Sequence, residues 1–125
     1  MPDFTDCPCT GQTLSKLLHP AILATLSRGE LHGYEICDRL AGLATLGGQR
    51  PDVSGVYRAL KSMEAGGFVT GSWGPSQRGP AKRLYRLTAS GRRCLARWAQ
   101  TLADYRIAVG ALFRMVKRAC APRKG

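Results

Sequence analysis

Leu14, Leu17 and Leu18 begin an apolar pattern at helical spacing, and Pro20 interrupts it. A proline in a helix interior removes a hydrogen bond and clashes with the turn before it, whereas the first turn accepts it. The first main helix is therefore predicted to start near His19-Pro20 and to run through Ile22, Leu23 and Leu26 to Gly29. Residues 33–44, GYEICDRLAGLA, predict a second amphipathic helix, with Ile36, Cys37 and Leu40 on one face and Leu43 or Ala44 extending it. Gly-Gly and Arg-Pro mark residues 45–52, TLGGQRPD, as a loop. Ser54 then offers an N-cap to a third helix that stops at Gly66-Gly67, a composition suited to a left-handed C-cap. Val56, Leu60 and Met63 fall on its inner side. Ser54, Tyr57, Arg58 and Lys61 fall on its outer side at three- and four-residue steps.

The pattern changes at Phe68. Phe68 to Trp73 and Lys82 to Leu87 read as strands, and the eight residues between them, GPSQRGPA, form a long hairpin loop rather than a tight turn. Thr88 caps a final helix continuing to about Ala119, before Pro122. In it Leu95, Trp98, Leu102, Tyr105, Val109, Leu112 and Val116 alternate steps of three and four, a heptad stripe. Such a helix of about 30 residues is ~45 Å long, more than a small domain needs for its own core. The surplus stripe calls for a partner, most simply a second copy of the chain; folding back on its own domain is the lesser alternative.

Three helices followed by a hairpin is the order of a winged helix-turn-helix, in which the third helix enters the major groove and the hairpin loop flanks the duplex. The expected fold class is mainly α (α+β): a winged helix-turn-helix domain followed by one long C-terminal dimerisation helix. The expected organisation is a Cys-containing arm over residues 1–13, the winged domain over 14–88 and the helix over 89–121.

Charge sharpens this picture. The formal net charge is +11 and the pI about 10.1, an excess that suits a polyanionic partner. It is clustered: between Glu64 and Asp104 there is no acid, only Arg78, Lys82, Arg83, Arg86, Arg92, Arg93 and Arg97. Arg78, Lys82 and Arg83 on the hairpin loop are expected phosphate contacts, since neutralising phosphates releases counterions and carries sequence-independent affinity. Arg86, deeper in the strand, reads equally as structural. Ser54, Tyr57, Arg58 and Lys61 are the expected reading face; the bases they meet are not legible. A hydrophobic fraction of 44% suffices for a core. MPDFTDCPC has neither a positive start nor an apolar run, and no stretch reaches the ~20 apolar residues of a membrane span. Five cysteines without paired spacing do not resemble a secreted disulfide framework. The expectation is a cytoplasmic protein with reduced thiols, no membrane partner and no cofactor.

Cys7 and Cys9 form a Cys-x-Cys pair able to chelate a soft metal or be oxidised. A closed zinc site needs two further ligands, from His19 or a partner's arm, and an ordinary tail with two thiols is the favoured reading. Cys37 reads as a small buried hydrophobe. A continuous last helix would hold Cys94 and Cys120 ~39 Å apart, too far to pair within one chain. Neither His19 nor His32 has a nucleophile motif around it, and there is no phosphate-binding loop and no carboxylate pair at ligand spacing, so an enzyme is not expected.

HGYEICDRL at 32–40, SGVYRALKSMEAGGFV at 54–69 and GPAKRLYRLTASGRRCL at 79–95 resemble the PadR family of transcriptional regulators, over about residues 19–100. The single helix after the hairpin resembles the short-tail subgroup. The resemblance implies a homodimeric winged-helix repressor held together by its last helix, with Tyr57 as the recognition-helix tyrosine and His32, Gly33 and Tyr34 mainly structural. In some relatives, aromatics of the last helix line a cavity at the dimer interface that admits flat effectors, which makes Trp98 the candidate effector contact. The Gly-rich loop 45–52 and the Cys7-Pro8-Cys9 arm depart from the family pattern. The function expected is a dimeric, sequence-specific regulator of double-stranded DNA on an imperfect palindromic operator, a repressor released by a small-molecule effector. The alternative is a metal- or redox-responsive thiol regulator using Cys7 and Cys9.

Overall fold

The computed structural model describes residues 17–41, 53–73 and 83–122. The expectations for Cys7, Cys9, the loop 45–52, Arg78 and Lys82 lie outside those residues. The elements are α1 (Leu18–Leu26), β1 (Leu31–His32), α2 (Gly33–Ala41), α3 (Val53–Ala65), β2 (Val69–Trp73), β3 (Arg83–Leu87) and α4 (Ala89–Cys120).

Pro20 is buried in the first turn of α1, where its missing N–H costs nothing. The helix ends at Leu26 rather than Gly29. Ser27 and Gly29 turn back instead, their N–H groups each 3.2 Å from the carbonyl oxygens of Ala24 and Leu26. Leu31 and His32 correct the expected two-stranded hairpin. They pair antiparallel with β3, Leu31 opposite Tyr85 and His32 opposite Leu84, and make a three-stranded sheet of order β1-β3-β2. His32 also occupies the cap position of α2: Glu35 Oε1 accepts from its N–H at 3.1 Å, one half of a capping box.

α3 opens at Val53, so Ser54 is a first-turn residue rather than the N-cap; helix ends shift by a residue or two as the first turn frays. The stop is as expected. Gly67 has φ +82°, Phe68 N–H donates to the Met63 carbonyl at 2.9 Å and Gly67 N–H to that of Glu64 at 3.1 Å. This is the paired bonding of a left-handed helix end.

The core forms where the three helices meet the sheet. Ile22, Leu23 and Leu26 of α1, Ile36, Cys37 and Leu40 of α2, and Val56, Leu60 and Met63 of α3 are buried with Val69, Tyr85 and Leu87. Each large aliphatic side chain contributes about 1.5–3 kcal/mol by leaving water. This is a mostly helical winged helix-turn-helix with a small antiparallel sheet and a long last helix. Among the described residues no helix is long and apolar enough to cross a membrane.

Thr88 does two jobs at the start of α4. Its Oγ1 accepts from the Gly91 N–H at 3.0 Å, as an N-cap does, and donates to the Gly67 carbonyl at 2.6 Å. Gly91 is buried so closely that any Cβ there would overlap the Phe68 carbonyl oxygen and press on Leu87. For that reason the first two turns of α4 belong to the compact unit that ends at Leu95; residues from Ala96 onward form a second unit.

Replacing Gly91 by Ala sets two effects against each other. Ala gains about 1 kcal/mol of helix propensity, but overlap with a backbone oxygen cannot be relieved by a rotamer change, and overpacking costs ~1–3 kcal/mol or more. The clash prevails: urea denaturation is expected to show G91A about 2 kcal/mol less stable than wild type, and a stabilised variant would contradict this packing.

Candidate nucleic-acid interface

Burial of Val56, Ala59, Leu60 and Met63 fixes the rotation of α3 about its own axis. With 3.6 residues per turn, the other side must then face outward. Ser54, Tyr57, Arg58 and Lys61 are indeed all exposed, and the Glu64–Arg83 ion pair described below engages neither Arg58 nor Lys61. A hydroxyl, a phenol and two cations at three- and four-residue steps are chemically equipped to meet phosphates and base edges.

Tyr57 combines two readings that the sequence left separate. It is 40% exposed, yet its ring lies across Gly33, where an added Cβ would come within 2.6 Å of Cε1 and 2.7 Å of the phenol oxygen. Gly33, the first residue of α2, is thus the seat of the Tyr57 ring, a structural role of the kind expected of it. Burial on this seat, with smaller contributions from Cys37 and Tyr34, pushes the Tyr57 phenol above its ordinary pKa of 10.0.

Arg83 stands in the expected second strand of the hairpin, as the first residue of β3 and paired across the sheet with Trp73, and its side chain is engaged within the protein. Its Nη2 donates to Glu64 Oε2 at 2.7 Å and to the Gly71 carbonyl at 3.1 Å, and its guanidinium lies over the rings of Trp73 and Tyr85 at 5.7 and 5.6 Å. Gly71 leaves the room, since a Cβ there would approach the guanidinium to 2.8 Å. The sequence reading missed Glu64, Gly71 and Trp73. An isolated acid nineteen residues before an arginine carries no local signal. Behind this group, His32 Nδ1 lies 3.2 Å from the Arg83 carbonyl oxygen, joining β1 to the start of the wing strand. Arg86 is exposed on β3 between buried Tyr85 and Leu87.

In the second unit Leu102, Tyr105, Val109, Leu112 and Val116 are exposed and Trp98 is half-buried; Leu95, the last residue of the first unit, is half-buried as well. Phe113, 61% exposed, widens the stripe at one edge; its four-residue step from Val109 was a readable signal. Cys37 is buried as expected, Cys94 is half-buried and Cys120 exposed. Among the described residues no three His, Cys, Asp or Glu side chains gather as a metal site.

Residues 22–97 match the transcriptional regulator PadR-like family. That match spans more than half of the sequence, and the chain belongs to this family of transcriptional regulators, which are not enzymes. Among solved structures, the chain is similar to Bacillus subtilis PadR in complex with operator DNA, with 31% identity and a TM-score of 0.59 over 66% of this chain. The match spans only 46% of that protein's length. A Thermoplasma acidophilum protein is 27% identical with a TM-score of 0.70, covering 82% of this chain and 96% of its own. A PadR-like transcriptional regulator from Bacillus cereus is 25% identical with a TM-score of 0.66 over 82% of this chain and 96% of its own. No curated protein sequence matches the chain.

The Tyr57 seat has a titration signature. Phenols raised by burial stay neutral to higher pH in the folded state than in the unfolded one. Their contribution to stability is therefore complete below pH 10.0 and is lost as pH rises above it. Ultraviolet titration of G33A is expected to move the Tyr57 phenol back toward 10.0, because the new methyl displaces the ring into water. An unmoved phenol would show that Gly33 does not seat it.

Proposed function

We propose that the chain is a dimeric, sequence-specific DNA-binding regulator, acting in the cytoplasm as a repressor on an imperfect palindromic operator and released by a small-molecule effector. The observation that carries this reading is the outer face of α3: Ser54, Tyr57, Arg58 and Lys61 stand in water while the opposite face is wholly inside the core. This occurs in a domain similar to one solved on operator DNA. The α3 face reads base edges, and the loop residues Arg78 and Lys82 meet phosphates beside it.

Dimerisation rests on the second unit. Leu102, Tyr105, Val109, Leu112 and Val116 present a continuous apolar stripe to water, a feature that marks a protein contact rather than a free surface. A second copy covers it most simply, through the heptad packing of Leu95, Trp98 and those residues. Two reading helices then stand ~34 Å apart, one duplex turn. Trp98 on that seam is the aromatic placed to meet a flat effector, and displacement of the two helices there alters the spacing. We assign residues 1–13 to an arm, 14–88 to the DNA-binding domain and 89–121 to the dimerisation helix.

Selection of duplexes from a randomised pool tests the reading. Wild type is expected to enrich a two-fold motif. Y57F should change the enriched sequence more than the affinity, whereas R58A and K61A should each lower the slope of log affinity against log salt by up to ~0.9. L112E should sediment as a monomer and bind the selected duplex far more weakly. Enrichment of nothing by wild type, or variants that all behave like wild type, would overturn it.

A further inference from the structure

We infer that Glu64 and Arg83 form a clamp that holds both wing strands against the last turn of the reading helix, and that Arg83 acts through this clamp rather than on phosphate. The inference rests on the DNA-binding reading above.

Glu64 lies in the last turn of α3. A carboxylate there faces the negative end of the helix dipole, so it is not placed to stabilise its own helix. Its contacts are all outside the helix. Oε2 accepts from the Gly71 N–H of β2 at 2.9 Å and from Arg83 Nη2 of β3 at 2.7 Å. One carboxylate oxygen thereby holds both wing strands. Arg83 Nη2 bridges in turn to the Gly71 carbonyl at 3.1 Å. Trp73 and Arg83 are the opposed residues from which the loop leaves β2 and to which it returns on β3. The guanidinium packs against Trp73 there and against Tyr85 next to it. Among the described residues the buried Arg83 Nε finds no hydrogen-bond partner, so ring contacts and the Glu64 pair, not an even set of polar partners, hold the group. The side chains of Arg83 and Glu64 are only 34% and 28% exposed, and their charges offset one another. A lone phosphate-seeking arginine would instead be extended and unpaired. Because the same helix carries Tyr57, Arg58 and Lys61, the clamp relates the face that meets base edges to the two strands of the wing.

Charge alone and positioning predict opposite signs for one variant. Removing the Glu64 carboxylate makes the surface more positive, and simple attraction to a polyanion would tighten DNA binding. Positioning demands that E64Q weaken it. Arg83→Lys separates the ideas again, since a phosphate contact tolerates lysine but a planar, stacked, hydrogen-bonded guanidinium does not.

The experiment measures affinity for the duplex that the wild-type chain selects, across a salt series, with E64Q, R83K, R83Q and the E64Q/R83Q double variant. Melting curves confirm folding; R83K, which keeps its charge, carries the test if R83Q does not fold. We expect E64Q, R83K and R83Q each to bind about tenfold more weakly, as for coupled neighbours, with the salt slope unchanged and the double variant no weaker than either single one. A slope reduced by ~0.9 in R83Q, an R83K that binds like wild type, a tighter E64Q or additive losses would each overturn the clamp. Failure of wild type to select any duplex would overturn the DNA-binding reading beneath it instead.

Discussion

Everything placed at this surface depends on one packing constraint, the burial of a single face of α3. Val56, Leu60 and Met63 are in the core, and a helix whose apolar face is spoken for has no rotational freedom left. A turn of one residue, about 100°, would expose that face and draw Arg58 and Lys61 toward the interior, where unpaired charge is very costly. The core therefore selects the outward residues as firmly as it selects the inward ones. Tyr57 stands at the boundary between the two. Gly33 lets its ring lie flat on the start of α2 while the remainder stays in water.

Three ties extend this order from α3 to the strands that follow it. The Gly66-Gly67 end turns the chain into β2, with Phe68 bonded back to Met63. Glu64 holds both wing strands through Gly71 and Arg83. Thr88 and Gly91 bring the first turns of α4 against Phe68 and Leu87, so the unit closes on the same short segment from which the wing departs. None of these ties is large alone. They converge on the last turn of α3, and the reading face and the base of the wing are in consequence parts of one packed body.

Local chemistry made much of this legible in advance. The two faces of α3, its glycine stop, the alternation of Tyr85 and Leu87 against Arg86 and the Thr88 cap all follow from residues within a turn or a strand of one another. Long-range partners escaped. β1 is two residues long, too short to show any period, and exists because Leu31 and His32 find an open edge of β3. The roles of Gly33 and Gly91 depend on Tyr57 and on the Phe68 carbonyl, which lie close only in the fold. Arg83 was read by its charge, as one of a cluster, and its partner Glu64 is the last acid before that cluster. Sequence shows what an arginine is able to do; which of those things it does depends on what folds up beside it.

In the proposed arrangement the outward face of α3, duplicated by a second chain, occupies successive major grooves of one duplex. Hydroxyl-radical cleavage of the selected duplex with the full-length protein bound tests it most directly. Two protected patches are expected on one side of the helix, their centres one turn apart (~34 Å) and related by a two-fold axis. A single protected patch, or cleavage as uniform as on free DNA at low salt, would contradict it.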